Sequence, residues 1–249
     1  MQTLNHLNDY RAIEFRRYII KDGEREHFSQ YFDSYFPEAF QQLGAIAHGE
    51  FYERDDPSRF TWIRAFHTIE DRAVVNSAFY YGAVWREHKA TVNNLMLDSD
   101  NVLLLRPLSP ATNIPVLPAV DPVFEEKGAQ GIVIAEIFAV KAGEAEAFAK
   151  QAESIFAHYQ IAGIRPAGIL VTLDVPNNFP QLPVRTDGPY LVYLGIIKDN
   201  QTLEEKFKPL AEHSLRSLTA TDLLRGAPEL IIMDPTQRSR LRWLVEWQQ

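Results

Sequence analysis

Two sets of side chains carry what chemistry this chain advertises. Glu14, Arg16 and Tyr18 recur at every second position of the apolar run Ile13 to Ile20, and Trp62, Arg64 and Phe66 do the same within Phe60 to His67. In a strand, alternate residues share a face, so each set lines one side of its segment while Ile13, Phe15 and Ile19 line the other. A carboxylate, two guanidiniums, a phenol and an indole around one space are equipped to orient an anionic or quinone-like small molecule. The plainer reading is that Glu14 pairs with Arg16 or Arg64, because charges that leave water need partners, and that the aromatic rings are packing.

The elements that position these residues occur twice. Lys21-Asp-Gly23-Glu24 followed by Phe28 returns as Lys141-Ala-Gly143-Glu144 followed by Phe148, each after a strand-like run, Ile13 to Ile20 and Ile132 to Val140. In the first copy, apolar and aromatic residues from Phe28 to Leu43 recur at three- and four-residue steps, which predicts a helix over about 24–44. Pro37 falls inside it and predicts a kink or break, since proline costs about 3 kcal/mol in a helix interior. A hairpin follows, Gly49 to Glu53 and Phe60 to His67, then a helix over about 69–97 and a strand over 101–107. The second copy repeats the order. It has a helix stripe from Phe148 to Tyr159, strands over 168–174 and 190–197, a helix starting at the capping box Thr202-x-x-Glu205, and a last strand over 229–235.

Strand, helix, strand, strand, helix, strand is the ferredoxin-like order, with both helices on one face of an antiparallel sheet. The expected fold class is α+β. Two tandem ferredoxin-like (βαββαβ) repeats pack their open sheet faces together as a pseudo-symmetric barrel, the alternative being pairing between chains. The expected boundaries are residues 10–107 for the first repeat, a proline-rich linker over 108–130, and 131–249 for the second. The apolar face of the first strand is expected to meet the helices, which turns Glu14, Arg16 and Tyr18, with Trp62, Arg64 and Phe66, toward the barrel interior. The matching positions of the second copy, Ile134, Glu136 and Phe138, are more apolar, so the first copy is the expected site. The segment from Val175 to Pro189 holds four prolines. It reads as a surface connection, and as the better candidate for a lid.

The bulk numbers bound the rest. At 249 residues and 46% hydrophobic the chain can bury a core without staples. With no cysteine it offers no thiol nucleophile, iron–sulfur ligand or cysteine-ligated zinc. A formal charge of −8 opposes a broad nucleic-acid or anionic-membrane footprint. The first ten residues lack a basic start with an apolar core, and no apolar run approaches the roughly 18 residues of a span, so the expectation is a soluble, cytoplasmic protein. His6, His27, His48, His67, His88, His158 and His213 show no metalloprotease spacing, and neither a metal nor a cofactor is expected. His27, His48 and His67 fall near element ends, where solvated histidines are ordinary. No nucleophile elbow, phosphate loop or dinucleotide fingerprint occurs.

Glu14-x-Arg16-x-Tyr18, Lys21-x-Gly23, a helix containing Pro37, then Gly44 and a strand opening at Gly49 resemble the NIPSNAP family of the dimeric α/β-barrel superfamily. Thr68-Ile-Glu-Asp-Arg72 before a helix bearing Trp85 is similar too. The resemblance covers 13–106 well and 132–233 more weakly. It departs at the third strand, where the family usually reads His-x-Trp-x-Tyr and this chain has Trp62-x-Arg64-x-Phe66, which puts any role of the family histidine in doubt. The resemblance implies two ferredoxin-like units forming a barrel and a poorly defined function. The wider superfamily includes cofactor-free monooxygenases of quinols and polyketide-like aromatics, haem-degrading proteins and small stress-response proteins. Three readings follow: a binder of a small anionic or aromatic molecule in the barrel cavity; a cofactor-independent monooxygenase or isomerase acting on a phenolic or quinone-like substrate, with Glu14 or a nearby histidine as base; and a non-catalytic interaction or assembly module. A small-molecule ligand and a homo-oligomer are the partners these readings allow, with no nucleic acid and no membrane.

Overall fold

A computed structural model describes residues 9–248; the first eight residues, His6 among them, and Gln249 lie outside the described part. In the first repeat β1 (Ala12–Ile20) leads into α1 (Arg25–Tyr35) and α2 (Pro37–Gln42), then β2 (Ile46–Glu53), β3 (Arg59–Phe66), α3 (Ile69–Tyr80), α4 (Ala83–Leu95) and β4 (Met96–Pro107). The second holds β5 (Ile132–Ala139), α5 (Ala145–Ile161), β6 (Arg165–Thr172), β7 (Tyr190–Ile197), α6 (Asn200–Thr202), α7 (Lys208–Thr219) and β8 (Glu229–Pro235).

Sequence accounts for the breaks. Pro37 sits in the first turn of α2, where its missing N–H is no loss, so the expected long helix is two. The expected helix over 69–97 also breaks, at Gly82, where a Cβ would collide with the Ala78 carbonyl oxygen. The capping box at Thr202 is displaced: Asp199 is the cap, accepting from the Thr202 backbone N–H at 2.8 Å.

The strands close into a barrel in the order β1-β3-β2-β8-β5-β7-β6-β4. Each repeat contributes an antiparallel four-stranded sheet of ferredoxin-like order, and the seams are β2 with β8 and β4 with β6. The fold is therefore α+β, two ferredoxin-like repeats packed sheet to sheet within one chain. Ile13, Phe15, Ile63, Leu103 and Leu105 of the first repeat meet Val133, Ala135, Ile137, Val192 and Leu194 of the second in one apolar lumen. Ile114 and Leu117, in the segment expected to be a plain connection, are buried in the same cluster.

That lumen reverses the expected facing. Ile13 and Phe15 do not meet the helices, and Glu14, Arg16, Tyr18, Trp62, Arg64 and Phe66 do not line the barrel interior; they lie under the helices, where Tyr18, Trp62 and Phe66 pack with Phe28, Phe32, Phe36, Phe40 and Phe79. Closing the barrel leaves the sheet no wet face. The sheet-to-sheet contact takes the uniformly apolar side, and the helices bring the polar partners that the other side requires.

Candidate functional site

The site is built across three elements of the first repeat. Antiparallel register sets Glu14 opposite Arg64 and Arg16 opposite Trp62. Thr68 caps α3, accepting from the Asp71 backbone N–H at 3.1 Å. One turn later Arg72 comes down onto the sheet, fully buried.

All three arginines converge on one carboxylate. Arg64 Nε donates to Glu14 Oε2 at 2.6 Å, Arg16 Nη1 donates to the same oxygen at 2.9 Å, and Arg72 Nε donates to Oε1 at 2.6 Å. Arg16 Nε also donates to the Tyr18 hydroxyl at 2.8 Å. The Arg64 guanidinium lies 4.6 Å from the centre of the Phe40 ring and 5.0 Å from that of Trp62, a cation–π arrangement that replaces part of its lost hydration. Burial works to raise the Glu14 pKa, and Arg64, Arg16 and Arg72 together overcome it, holding the carboxyl well below the usual carboxylate range. Burial raises the Tyr80 phenol, which therefore stays protonated.

One carboxylate against three guanidiniums leaves two positive charges uncompensated within the cluster. Among the described residues, Arg64 Nη2 and Arg72 Nη2 are buried without a hydrogen-bond partner, as are Trp62 Nε1 and both side-chain polar atoms of Asn76. Asn76 follows Arg72 by four residues and so shares its helix face. Alongside runs a cavity of about 30 Å³ walled by Tyr18, Phe36, Phe40, Trp62, Tyr80 and Trp85, among others. That is room for about one water molecule.

The second repeat covers this site. Arg72 Nη1 donates to Asn177 Oδ1 at 3.0 Å and to Asn178 Oδ1 at 2.8 Å, while Asn178 Nδ2 donates to the Ile69 carbonyl. Phe179 is buried, its ring 6.0 Å from that of Tyr80. The proline-rich segment after β6 thus forms a strap across the first repeat.

All six residues singled out in the sequence come together, on the opposite side of the sheet from the expected one. Arg72, Asn76 and the two asparagines of the strap are not among the candidate ligands of the sequence; the signal for Arg72 is its place in the Thr68-to-Arg72 segment that resembles the family. The histidine expectation fails at His48, which is 1% exposed and which burial pushes down to about 3, so it is neutral. His67 stacks on Tyr10 with ring centres 4.2 Å apart.

The second repeat keeps the register and changes the chemistry. Ile134 faces Gly195 where Glu14 faces Arg64, and Glu136 faces Tyr193 where Arg16 faces Trp62. Glu136 accepts from the Tyr159 hydroxyl at 2.8 Å, and its Oε2 has no partner. Burial pushes it up to about 7.

No helix among the described residues is long and apolar enough to cross a membrane, and no group of three or more acidic or histidine side chains there is arranged to hold a metal. No family profile matches the sequence, and no curated protein matches it. Solved structures do resemble the fold. A candidate monooxygenase from Fusobacterium nucleatum superposes with a TM-score of 0.60 over 94% of this chain and 96% of its own, at 9% identity. An anthrone oxidase-like protein gives 0.58 over 95% and 96%, also at 9% identity. A NIPSNAP family protein of unknown function from Agrobacterium tumefaciens matches 41% of this chain and 94% of its own, at 19% identity and a TM-score of 0.37. The full-length likenesses establish the dimeric α/β-barrel fold.

Proposed function

We propose that the first repeat is NIPSNAP-like and binds a small anionic aromatic molecule between its sheet and its helices, rather than in the barrel lumen. One observation carries the reading: among the described residues Arg64 Nη2 and Arg72 Nη2 are buried and unpartnered, and the Arg64 guanidinium lies against Phe40, Trp62 and Tyr80, three of the rings that wall the small cavity. A buried donor left unmatched costs about 1–3 kcal/mol, more when charged, and an incoming carboxylate or phenolate oxygen removes that cost. The NIPSNAP assignment rests on the motif residues. Of these, Glu14, Arg16, Tyr18 and Arg72 meet in the one cluster. Because the cavity has room for about one water, a ligand enters by displacing the strap at Asn177 to Phe179.

A cofactor-independent monooxygenase or isomerase is the second reading, favoured by what the full-length structural neighbours are named for. The same positive charge would stabilise a bound phenolate. Glu14 is not its base, since three guanidiniums occupy both its oxygens and hold its proton affinity well below that of an ordinary carboxylate. The third reading, an assembly module, draws on the apolar lumen and the small cavity.

Titrating Trp emission with benzoate and with its neutral analogue benzamide separates them. Charge-assisted bonds to Arg64 and Arg72 predict benzoate binding at least about tenfold tighter, and that preference vanishing in Arg72→Gln. Benzoate and benzamide indistinguishable in the wild-type chain would overturn ligand binding and leave the assembly reading.

A further inference from the structure

A second opening lies where the C-terminal segment crosses the outside of β2. It is a cleft of about 370 Å³, within the size range of small-molecule sites, lined by Pro37 and Gln41 of α2, Glu50 of β2, Ala119, Arg238 and Arg240, among others. Glu50 is opposite Trp62 in register and so faces the helix side of the sheet. It is 2% exposed, and its Oε1 has no hydrogen-bond partner. Asp33 on α1 is buried as well, with Oδ1 unpartnered.

The arginines at the rim do not satisfy these acids. Arg238 donates to the Asp33 carbonyl at 2.5 Å and to the Glu38 carboxylate. Arg240 donates to the Leu117 carbonyl at 3.0 Å and to Gln41 Oε1 at 3.2 Å, both neutral acceptors. Glu125, also in the lining, is held by Arg242. The lining holds more carboxylates than guanidiniums, and Glu50 Oε1 is left as a desolvated acceptor with no donor among the described residues. A polar group taken from water without a hydrogen bond costs free energy that a matching donor recovers.

We infer that this cleft is a binding site for a small organic ammonium, whose N–H groups donate to Glu50 Oε1 at its floor while its alkyl part packs on Pro37 and Ala119. This inference stands apart from the anion site under the helices and does not depend on it. Proton linkage gives it a signature. Burial first, and then Asp33, pushes Glu50 well above the usual carboxylate range, and burial pushes Asp33 up to about 6. The charged groups facing Glu50 are Asp33 of α1, Glu38 of α2, and Arg238 and Arg240 of the C-terminal segment; His48 on its own strand is neutral. An ammonium therefore displaces a proton from the acid pair on binding, and its affinity rises with pH.

The test uses the full chain, with n-butylammonium as probe and n-butanol as its uncharged counterpart. Thermal-shift titration at about pH 8 is expected to show saturable stabilisation by the amine and none by the alcohol, with at least about fivefold weaker amine binding at about pH 6. Glu50→Gln, which keeps the shape and removes the charge, is expected to weaken the amine at least about tenfold. Ala119→Trp, at an exposed lining position, fills the mouth and does the same without touching the acid, so the inference stays testable if Glu50→Gln does not fold. Equal responses to amine and alcohol, or an amine response unchanged in either folded variant, would overturn it.

Discussion

Arg72 and Glu14, 58 positions apart in the chain, meet at 2.6 Å with neither side chain accessible to solvent. Through this pair a helix that begins at Thr68 is locked to the first strand, and a strap from the other repeat is held above both. Among the described residues the carboxylate is the one negative group paired with these three guanidiniums, so the whole cluster depends on it.

Replacing Glu14 by Gln is therefore expected to destabilise the chain by about 3–5 kcal/mol, the usual cost of leaving buried charges without their partner. Urea unfolding reads this as a lower midpoint at unchanged slope. Added sulfate or benzoate should restore more stability to Glu14→Gln than to the wild type, because the variant exposes three guanidiniums to any anion that reaches them. A variant as stable as the wild type, or one that anions fail to rescue, contradicts the central place given to Glu14.

Glu136 behaves in the opposite sense. Its folded pKa, pushed up to about 7 by burial, lies above that of the unfolded chain. Between the unfolded value and about 7 the folded state binds more protons, so stability falls as pH rises through this window. The cost levels off at about 3 kcal/mol above it. Glu136→Gln, which keeps an oxygen for the Tyr159 hydroxyl, is expected to be the more stable protein at about pH 8 and no more stable at about pH 4. Unfolding midpoints for both proteins across that range check it; parallel curves would mean that Glu136 is ionised at neutral pH.

The duplication was legible because its signature is local. Gly23 and Gly143 both adopt positive φ, at 74° and 80°, and in both turns the glutamate N–H returns to the lysine carbonyl, at 3.0 and 3.1 Å. The same words make the same turn. Period-two spacing likewise grouped Glu14, Arg16 and Tyr18 on one face correctly. Which face they take is a tertiary matter: β1 is buried on both sides, and alternation alone does not say which side receives the helices. Arg72, Asn177 and Asn178 were hidden for a related reason, since nothing in their own neighbourhoods marks the distant carboxylate and guanidinium they meet. His48, at a strand start in sequence, is buried because the C-terminal segment runs over it, with the Leu241 N–H donating to its carbonyl at 2.7 Å.

The strap joins the two repeats at the site itself. Asn177 and Asn178 accept from Arg72 Nη1, and each such bond to a charged group contributes about 1.5–3 kcal/mol. Replacing both by Ala removes two acceptors from a buried guanidinium while leaving Phe179 to pack on Tyr80. The strap should then open more often without the barrel unfolding, since the lumen residues are untouched. Amide exchange is expected to speed up across 175–182 and the first turn of α3, with exchange in β1 and β3 unchanged, and benzoate is expected to associate faster. Uniformly faster exchange over the whole chain would instead make the asparagines part of the global core. Unchanged exchange in the strap would show that the prolines and Phe179 hold it closed without Arg72.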